Sequence, residues 1–450
     1  MTDVCHFDDS LPRLLKILVT KLGKAPTEAG VVLRDAAGSL GFFASADVDP
    51  ATVREIDAQV RAALGHYARP DRLFACASDP GAQRVLQDPG TLTFKVAIDD
   101  DELAIRYLDR RIVGADWLHR PTPPTEPSDA PSVPGEPLGA IRVAFSSLKG
   151  GVGRSTALTV VAAEQARKGH NVLVIDLDLE APGIGSLLLT EDRMPSFGVI
   201  DYLVERNFGP VDRVVVNDMV GTSALTQGQG LVNVVPAVGS RTTAVPGNYL
   251  AKLARGMIEA IAGDAEPISL AAKLREMLND LEALRRYDLV LIDVRAGLAE
   301  LAAGPLLALD AEVLIFGTDQ RQTIQDLRFL FAHLATLTSP VGPSPWRRLK
   351  MVQAKVAQAA RAKSFRDEIW DLFTTYLYVE TLGLEEFNFD VDTPEAPHYP
   401  LVIPLDTAFA DWDPVGYPDR LVESYYARTF GDLIVYIDDL LSVEQANVQD

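Results

Sequence analysis

Two hydrophobic rhythms divide the chain. From Leu11 to Leu22, and again from Thr52 to Leu64, apolar residues recur at three- and four-residue intervals, the spacing of one helix face. Between and beyond them the runs are short. GVVLRDAAGSLGFFAS predicts two strands turning near Gly38, and Arg72–Ala77 and Leu92–Ile98 read as further strands. The acid run Asp99–Glu102 reads as a solvated turn. Residues 1–119 are therefore expected to form a small α+β domain. After residue 138 the rhythm changes. Ile141–Phe145, Val172–Ile175, Leu231–Val235, Leu289–Ile292, Ala311–Phe316, Leu349–Val352 and Leu401–Ile403 are apolar on both faces, with helical stretches between them. A parallel sheet covered by helices on both sides requires such runs. Residues 139–450 are accordingly expected to form a doubly wound, mostly parallel α/β domain.

Proline marks the boundary. Pro121 to Pro137 holds seven prolines in 17 residues. Proline removes amide donors and fixes φ, so residues 120–138 read as a semi-extended linker. Composition adds exclusions. The chain has 450 residues, two cysteines (Cys5 and Cys76) and a net charge of −21. Two distant cysteines exclude a disulfide framework, a four-cysteine zinc site and a CxxC redox pair. The acidic balance opposes bulk attraction to nucleic acid or an anionic membrane. No apolar stretch suits a transmembrane helix, and the acidic MTDVCHFDDS does not suit a secretory leader. A cytoplasmic location is the expectation.

The most informative segment is IRVAFSSLKGGVGRST, Ile141–Thr156, which passes from a strand through a glycine-rich turn into a helix-compatible stretch. Gly150, Gly151 and Gly153 permit tight turning and bring amides close to a polyanion. The helix that follows adds the positive end of its dipole. Ser155 offers a hydroxyl to Mg²⁺. The usual phosphate loop is GxxxxGK[ST]. Here Leu148 stands at the first glycine and Arg154 at the lysine. An ordinary glycine-rich strand–helix turn is the competing reading.

KGGVGRST resembles the deviant Walker A loop of the ParA/MinD ATPases, KGGVGK[ST], with one substitution. The resemblance implies a P-loop NTPase fold that binds ATP and Mg²⁺. Nucleotide would be held by Lys149, Gly150, Gly151, Val152, Gly153, Arg154, Ser155 and Thr156. Lys149 matches the signature lysine, which in that family reaches across a nucleotide-sandwich dimer. Arg154 replaces the second lysine, keeping the charge and the capacity to fork onto phosphate oxygens, but with different bulk. Val172–Gly183, VLVIDLDLEAPG, is similar to the family's switch I, DxDxxxP. On that match Asp178 orients the attacking water, with Glu180 as a lesser substitute, and Asp176 sits near the metal shell. Tyr287–Gly297, YDLVLIDVRAG, resembles Walker B with switch II, so Asp293 would hold Mg²⁺. Arg295 departs from the family pattern and is either an arginine near the γ-phosphate or a switch-loop ion pair. Leu401–Thr407 is similar to the family's late strand, making Asp406 and Gln353 candidate base contacts. Acids after strands are also ordinary helix caps. Three motifs in order, each at the carboxyl end of a predicted strand, nevertheless converge on the edge where open α/β sheets bind ligands.

Within this superfamily, the absence of cysteine after Cys76 excludes cluster scaffolds and cysteine-based pumps. No [NT]KxD follows the loop, which favours ATP over GTP. The acidic ending DLIVYIDDLLSVEQANVQD is unlike a basic membrane helix. Residues 341–366 carry seven basic side chains and no acid, whereas residues 367–450 carry 19 acids and two arginines. The basic block suits either DNA phosphates or, preferably, the acidic tail. The expected function is a slowly hydrolysing, Mg²⁺-dependent ATPase acting as an ATP-dependent homodimerisation switch. Residues 1–119, which hold no catalytic constellation, would serve an unidentified partner protein. A nucleotide-binding module with little hydrolysis and a DNA-associated partition ATPase are the alternatives.

Overall fold

The computed structural model describes residues 4–98, 101–119, 139–225, 230–260, 267–337, 345–378, 389–410 and 412–449. The proline-rich linker, Asp99, Asp100 and residues 341–344 of the basic block lie outside the described residues. The chain divides into two compact units, Met1–His119 and Arg120–Asp450.

The first unit has a five-stranded sheet of β1 (Val31–Arg34), β2 (Leu40–Phe43), β3 (Phe74–Ala75), β4 (Leu92–Ile98) and β5 (Asp101–Asp109), in the order β3-β2-β1-β5-β4. Helices Phe7–Leu22 and Pro50–Leu64 bury Leu14, Leu15, Leu18, Ile56 and Val60 with Val32, Phe42, Leu103 and Ile105 of the sheet. Asp49 caps the second helix by accepting from the amides of Ala51 and Thr52. The expected acidic turn needs correction. Asp101 and Glu102 already belong to β5, which pairs antiparallel with β4, and Glu102 meets Lys95 across the ladder at 2.9 Å. On an exposed strand end alternate acids are solvated as well as in a turn, so charge alone concealed the strand.

The second unit is built on an eight-stranded sheet. Its strands are β6 (Ile141–Ser147), β7 (Asn171–Asp176), β8 (Gly221–Thr222), β9 (Leu231–Val235), β10 (Leu289–Asp293), β11 (Glu312–Gly317), β12 (Leu349–Val356) and β13 (Leu401–Pro404). The order is β13-β12-β11-β6-β10-β7-β9-β8. Every pairing is parallel except β8 with β9. The seven apolar runs of the sequence are the seven parallel strands. β8, two residues long, is too short to carry a pattern. From β6 the chain builds toward β7 and β9, returns to β10, and then crosses to β11 on the other side. The reversal leaves a crevice at the carboxyl ends of the central strands.

Helix Arg154–Arg167 and the C-terminal helix Glu423–Gln449 pack on one another and share one apolar core with β6. Polar ties reinforce the pair: the Tyr426 hydroxyl donates to Glu164, Lys168 meets Asp438 at 2.7 Å and Arg167 meets Glu423 at 3.1 Å. These basic residues lie outside the block 341–366, so most of the tail's observed partners are not the ones expected. Within the block, Arg366 pairs with Asp367 and Asp392, but Arg348 pairs with Asp310 and Arg361 with Asp319. Lys350 donates to the Pro394 and Ala396 carbonyls.

At the opposite, amino end of the sheet, burial pushes the Glu312 carboxyl up to about 7, against the pull of Arg348 and the Tyr436 hydroxyl. A raised folded-state value contributes stability that is complete below the ordinary 4.5 and is lost as pH rises through 7. Glu312→Gln is therefore expected to flatten the decline of stability between pH 5 and 8, by about 2 kcal/mol across that window. Denaturant midpoints at successive pH values measure it, and parallel curves for the two proteins would refute it.

Candidate active site

The loop after β6 is shaped by two glycines in the left-handed region: Gly151 at φ 73° and Gly153, the cap of the following helix, at φ 91°. A side chain there would be strained. Gly150 is different. Its φ is unexceptional, and a Cβ on it would meet no protein atom within 4 Å. The protein does not need glycine at 150; a ligand lying against the backbone would. Among the described residues, the amides from Gly150 to Thr156 donate to no protein acceptor. They are the orphan donors of a turn entering a helix. They open onto a cavity of about 590 Å³ lined also by Ser147, Asp178, Lys355, Asp406 and Phe430.

Arg154, the first helical residue, is buried and faces inward. Its Nε donates to Asp293 Oδ1 at 2.6 Å, Nη1 to Ser147 Oγ at 3.1 Å, and Nη2 lies 3.5 Å from Asp178 Oδ2. Ser155 Oγ donates to the other Asp293 oxygen at 2.7 Å. Asp293 ends β10 and stands in register with Phe145 of β6 and Asp176 of β7. Burial raises the Asp293 carboxyl above its ordinary value, and Arg154 opposes the rise.

Asp176, in register with Asp293, is engaged by backbone amides. Its Oδ1 accepts the Asp178 amide at 3.0 Å, and its Oδ2 accepts those of Gly183 and Ile184 at 3.1 and 3.0 Å. It shapes the loop from within, and does not line the cavity. Burial, then the neighbouring Asp293, push its carboxyl up to about 7. Asp178 does line the cavity. Arg295 reaches Glu180 at 2.7 Å and Asp178 at 3.9 Å, the switch-loop ion pair of the two readings.

Lys149 extends away to Gln320 Oε1, 2.5 Å from its Nζ. Asp406 lines the cavity, but its oxygens accept the Ala408 amide and the Thr429 hydroxyl, both at 2.9 Å. The amide is the main reason its carboxyl lies below the ordinary range. Gln353 is buried outside the lining residues; its Nε2 donates to the Arg361 carbonyl at 3.4 Å, and its Oε1 has no partner among the described residues. The residue that sequence reasoning missed is Lys355. It stands at the end of β12 and donates to the Gly151 carbonyl at 2.6 Å. Its position at the carboxyl end of a parallel strand was the available signal, submerged in the count of basic residues.

Residues 141–339 match the family model described as an AAA domain. That stretch contains β6 with its glycine loop, β7 and β10, so the likeness falls on the elements that build the site. Solved structures similar to the chain include the MinD cell division protein of Aquifex aeolicus, at 16% identity over 67% of this chain and 97% of that one, with a TM-score of 0.41. The Pyrococcus furiosus cell division ATPase MinD is 22% identical over 67% and 100%, also at 0.41. A ParA family ATPase from Chlorobium tepidum is 16% identical over 66% and 99%, again at 0.41. No curated protein matches the chain. Among the described residues, no helix is long and apolar enough to cross a membrane.

Proposed function

We propose that the chain is an Mg²⁺-dependent, slowly hydrolysing ATPase that works as a nucleotide-dependent homodimerisation switch. Residues 1–119 act as its adaptor to a partner protein, in a bacterial partition, positioning or phage-defence system. The observation that carries the reading is Asp293, gripped by Arg154 on one oxygen and Ser155 on the other, beneath a row of free amides.

The residues suit a nucleotide and a divalent cation. Gly150–Thr156 offer amides to phosphates, Ser155 and Asp293 are two adjacent oxygen donors for a hard cation, and Phe409 and Phe430 wall the far end of the cavity. Magnesium, when bound, would neutralise charge developing on the transferred phosphoryl group. Arg154 serves two anions in turn. Without nucleotide it compensates the buried Asp293; a triphosphate is a stronger competitor for the same guanidinium. Drawing Arg154 away would leave Asp293 with Ser155 as its neighbour, the two oxygen donors standing together. Arginine at this position thus couples phosphate binding to the exposure of the metal donors. Asp178 lines the cavity between Arg154 and Arg295, and in this reading it orients the attacking water.

Those same arginines hold Asp178 as an ion-pair partner, which favours weak hydrolysis as the second reading. Phosphate release separates the two. The native chain is expected to turn over slowly and Asp178→Ala to fall to background, at least tenfold lower. Equal rates would establish the nucleotide-binding module instead. The DNA reading receives little from the fold, because Arg348, Lys350, Lys355, Arg361 and Arg366 all have protein partners.

A further inference from the structure

Lys355 is one of only two non-glycine residues with positive φ among the described residues, at 58°. A lysine in the left-handed region costs of order 1 kcal/mol or more, and persists only where the surroundings enforce it. Two features enforce it here. The register of β12 against β13 shifts between Gln353 and Val356, so the strand bulges at this residue. The bulge is locked from the next strand, since the Leu405 amide donates to the Val356 carbonyl at 3.0 Å. Bulges commonly re-aim a side chain beside an active site. This one sends Lys355 across 204 residues of sequence to the phosphate loop, where its Nζ donates to Gly151 O at 2.6 Å. Its Cε comes within 4.0 Å of where a Cβ on Gly153 would stand. It lines the same cavity as the loop amides and Asp406. Among the described residues no carboxylate pairs with it.

We infer that Lys355 is a nucleotide-positioning residue, whose ammonium pins the phosphate loop through the Gly151 carbonyl while its stem forms a wall of the cavity between Asp406 and the loop. The inference rests on the nucleotide reading of this cavity. A trans peptide is planar, with carbonyl and amide pointing in opposite senses. Holding the Gly151 carbonyl therefore also fixes the direction of the Val152 N–H. Gly151 and Gly153 would otherwise leave that stretch of backbone free to flip. Because the pinned amide belongs to the loop itself, its loss should weaken di- and triphosphates alike. That sets it apart from a residue that acts only on the γ-phosphate.

The test uses the full-length chain, calorimetric titration with Mg·ATP and Mg·ADP, and thermal unfolding without nucleotide. Lys355→Met keeps the stem and removes the donor. It is expected to weaken both nucleotides about tenfold, in line with losing one hydrogen bond from a charged group. Lys355→Arg, which keeps a donor, should recover part of that loss. Lys355→Gly relieves the positive φ. It should lose affinity while unfolding at or above the temperature of the native chain, which a merely structural lysine would not do. Native affinity for both nucleotides in Lys355→Met overturns the inference and leaves the nucleotide site standing. So does a loss in Lys355→Gly that runs parallel to a lower unfolding temperature. No binding by the native chain overturns the nucleotide reading, and the inference with it.

Discussion

Arg154→Ala is expected to destabilise the nucleotide-free chain by about 3 kcal/mol and to remove measurable ATP binding. The first effect follows from burial. Arg154 and Asp293 have side chains only 9% and 3% exposed, and they meet at 2.6 Å. Deleting one member of a buried pair leaves the other charge uncompensated, at a cost of about 3–5 kcal/mol. The lower figure applies, because Ser155 remains on Asp293 and the carboxyl is already displaced toward protonation by burial. The second effect follows from the phosphate loop losing its one inward-facing cation. Denaturant unfolding and calorimetry read the two separately. Arg154→Lys, which restores the family's residue, should recover binding while giving up the simultaneous grip on Asp293, Ser147 and Asp178. An alanine variant with native affinity for ATP would remove this loop from the function.

The second large effect is expected at Lys149. Its single described bond, to Gln320, is exposed and lies away from the Asp293 cluster. Lys149→Ala should therefore change stability by no more than about 0.5 kcal/mol and leave nucleotide binding to the monomer intact. What it should lose is ATP-dependent dimerisation altogether, read by light scattering with and without Mg·ATP. A side chain free of the fold and yet essential to assembly is the behaviour expected of a lysine that acts across an interface. Normal dimerisation of the variant would refute that role.

These contrasts show how unevenly the site could be read in advance. The loop, its two left-handed glycines and the acids ending β7 and β10 were legible because motif and element coincide: each acid follows a run that is apolar on both faces, and only a buried parallel strand needs such a run. Asp176 and Asp293 look equivalent by position, since both end central strands in register with each other. Their difference lies in what reaches them. Backbone amides of residues 178, 183 and 184 take up Asp176, whereas Arg154 and Ser155 converge on Asp293. Backbone donors leave no mark in a sequence. The seven basic residues of 341–366 misled in the same way. Read as a block they form a patch; folded, the five described above point to separate partners, because they are spread over a turn (Arg348), β12 (Lys350, Lys355) and the helix Ala359–Tyr376 (Arg361, Arg366).

The amino-acid sequence by itself pointed to two units, a parallel core and a glycine-rich strand-to-helix loop, since each depends on patterns local to a few residues: periodicity, proline density and glycine spacing. Tertiary structure alone decided which aspartate the arginine grips, which carboxylate is consumed by amides, and that a lysine from β12 holds the loop. The second depends on how the loop after β7 folds back on its own strand end. The first and last are contacts between segments more than a hundred residues apart, Arg154 with Asp293 and Lys355 with Gly151. Their geometry is set by sheet order, and strand runs read one at a time do not encode which strands become neighbours.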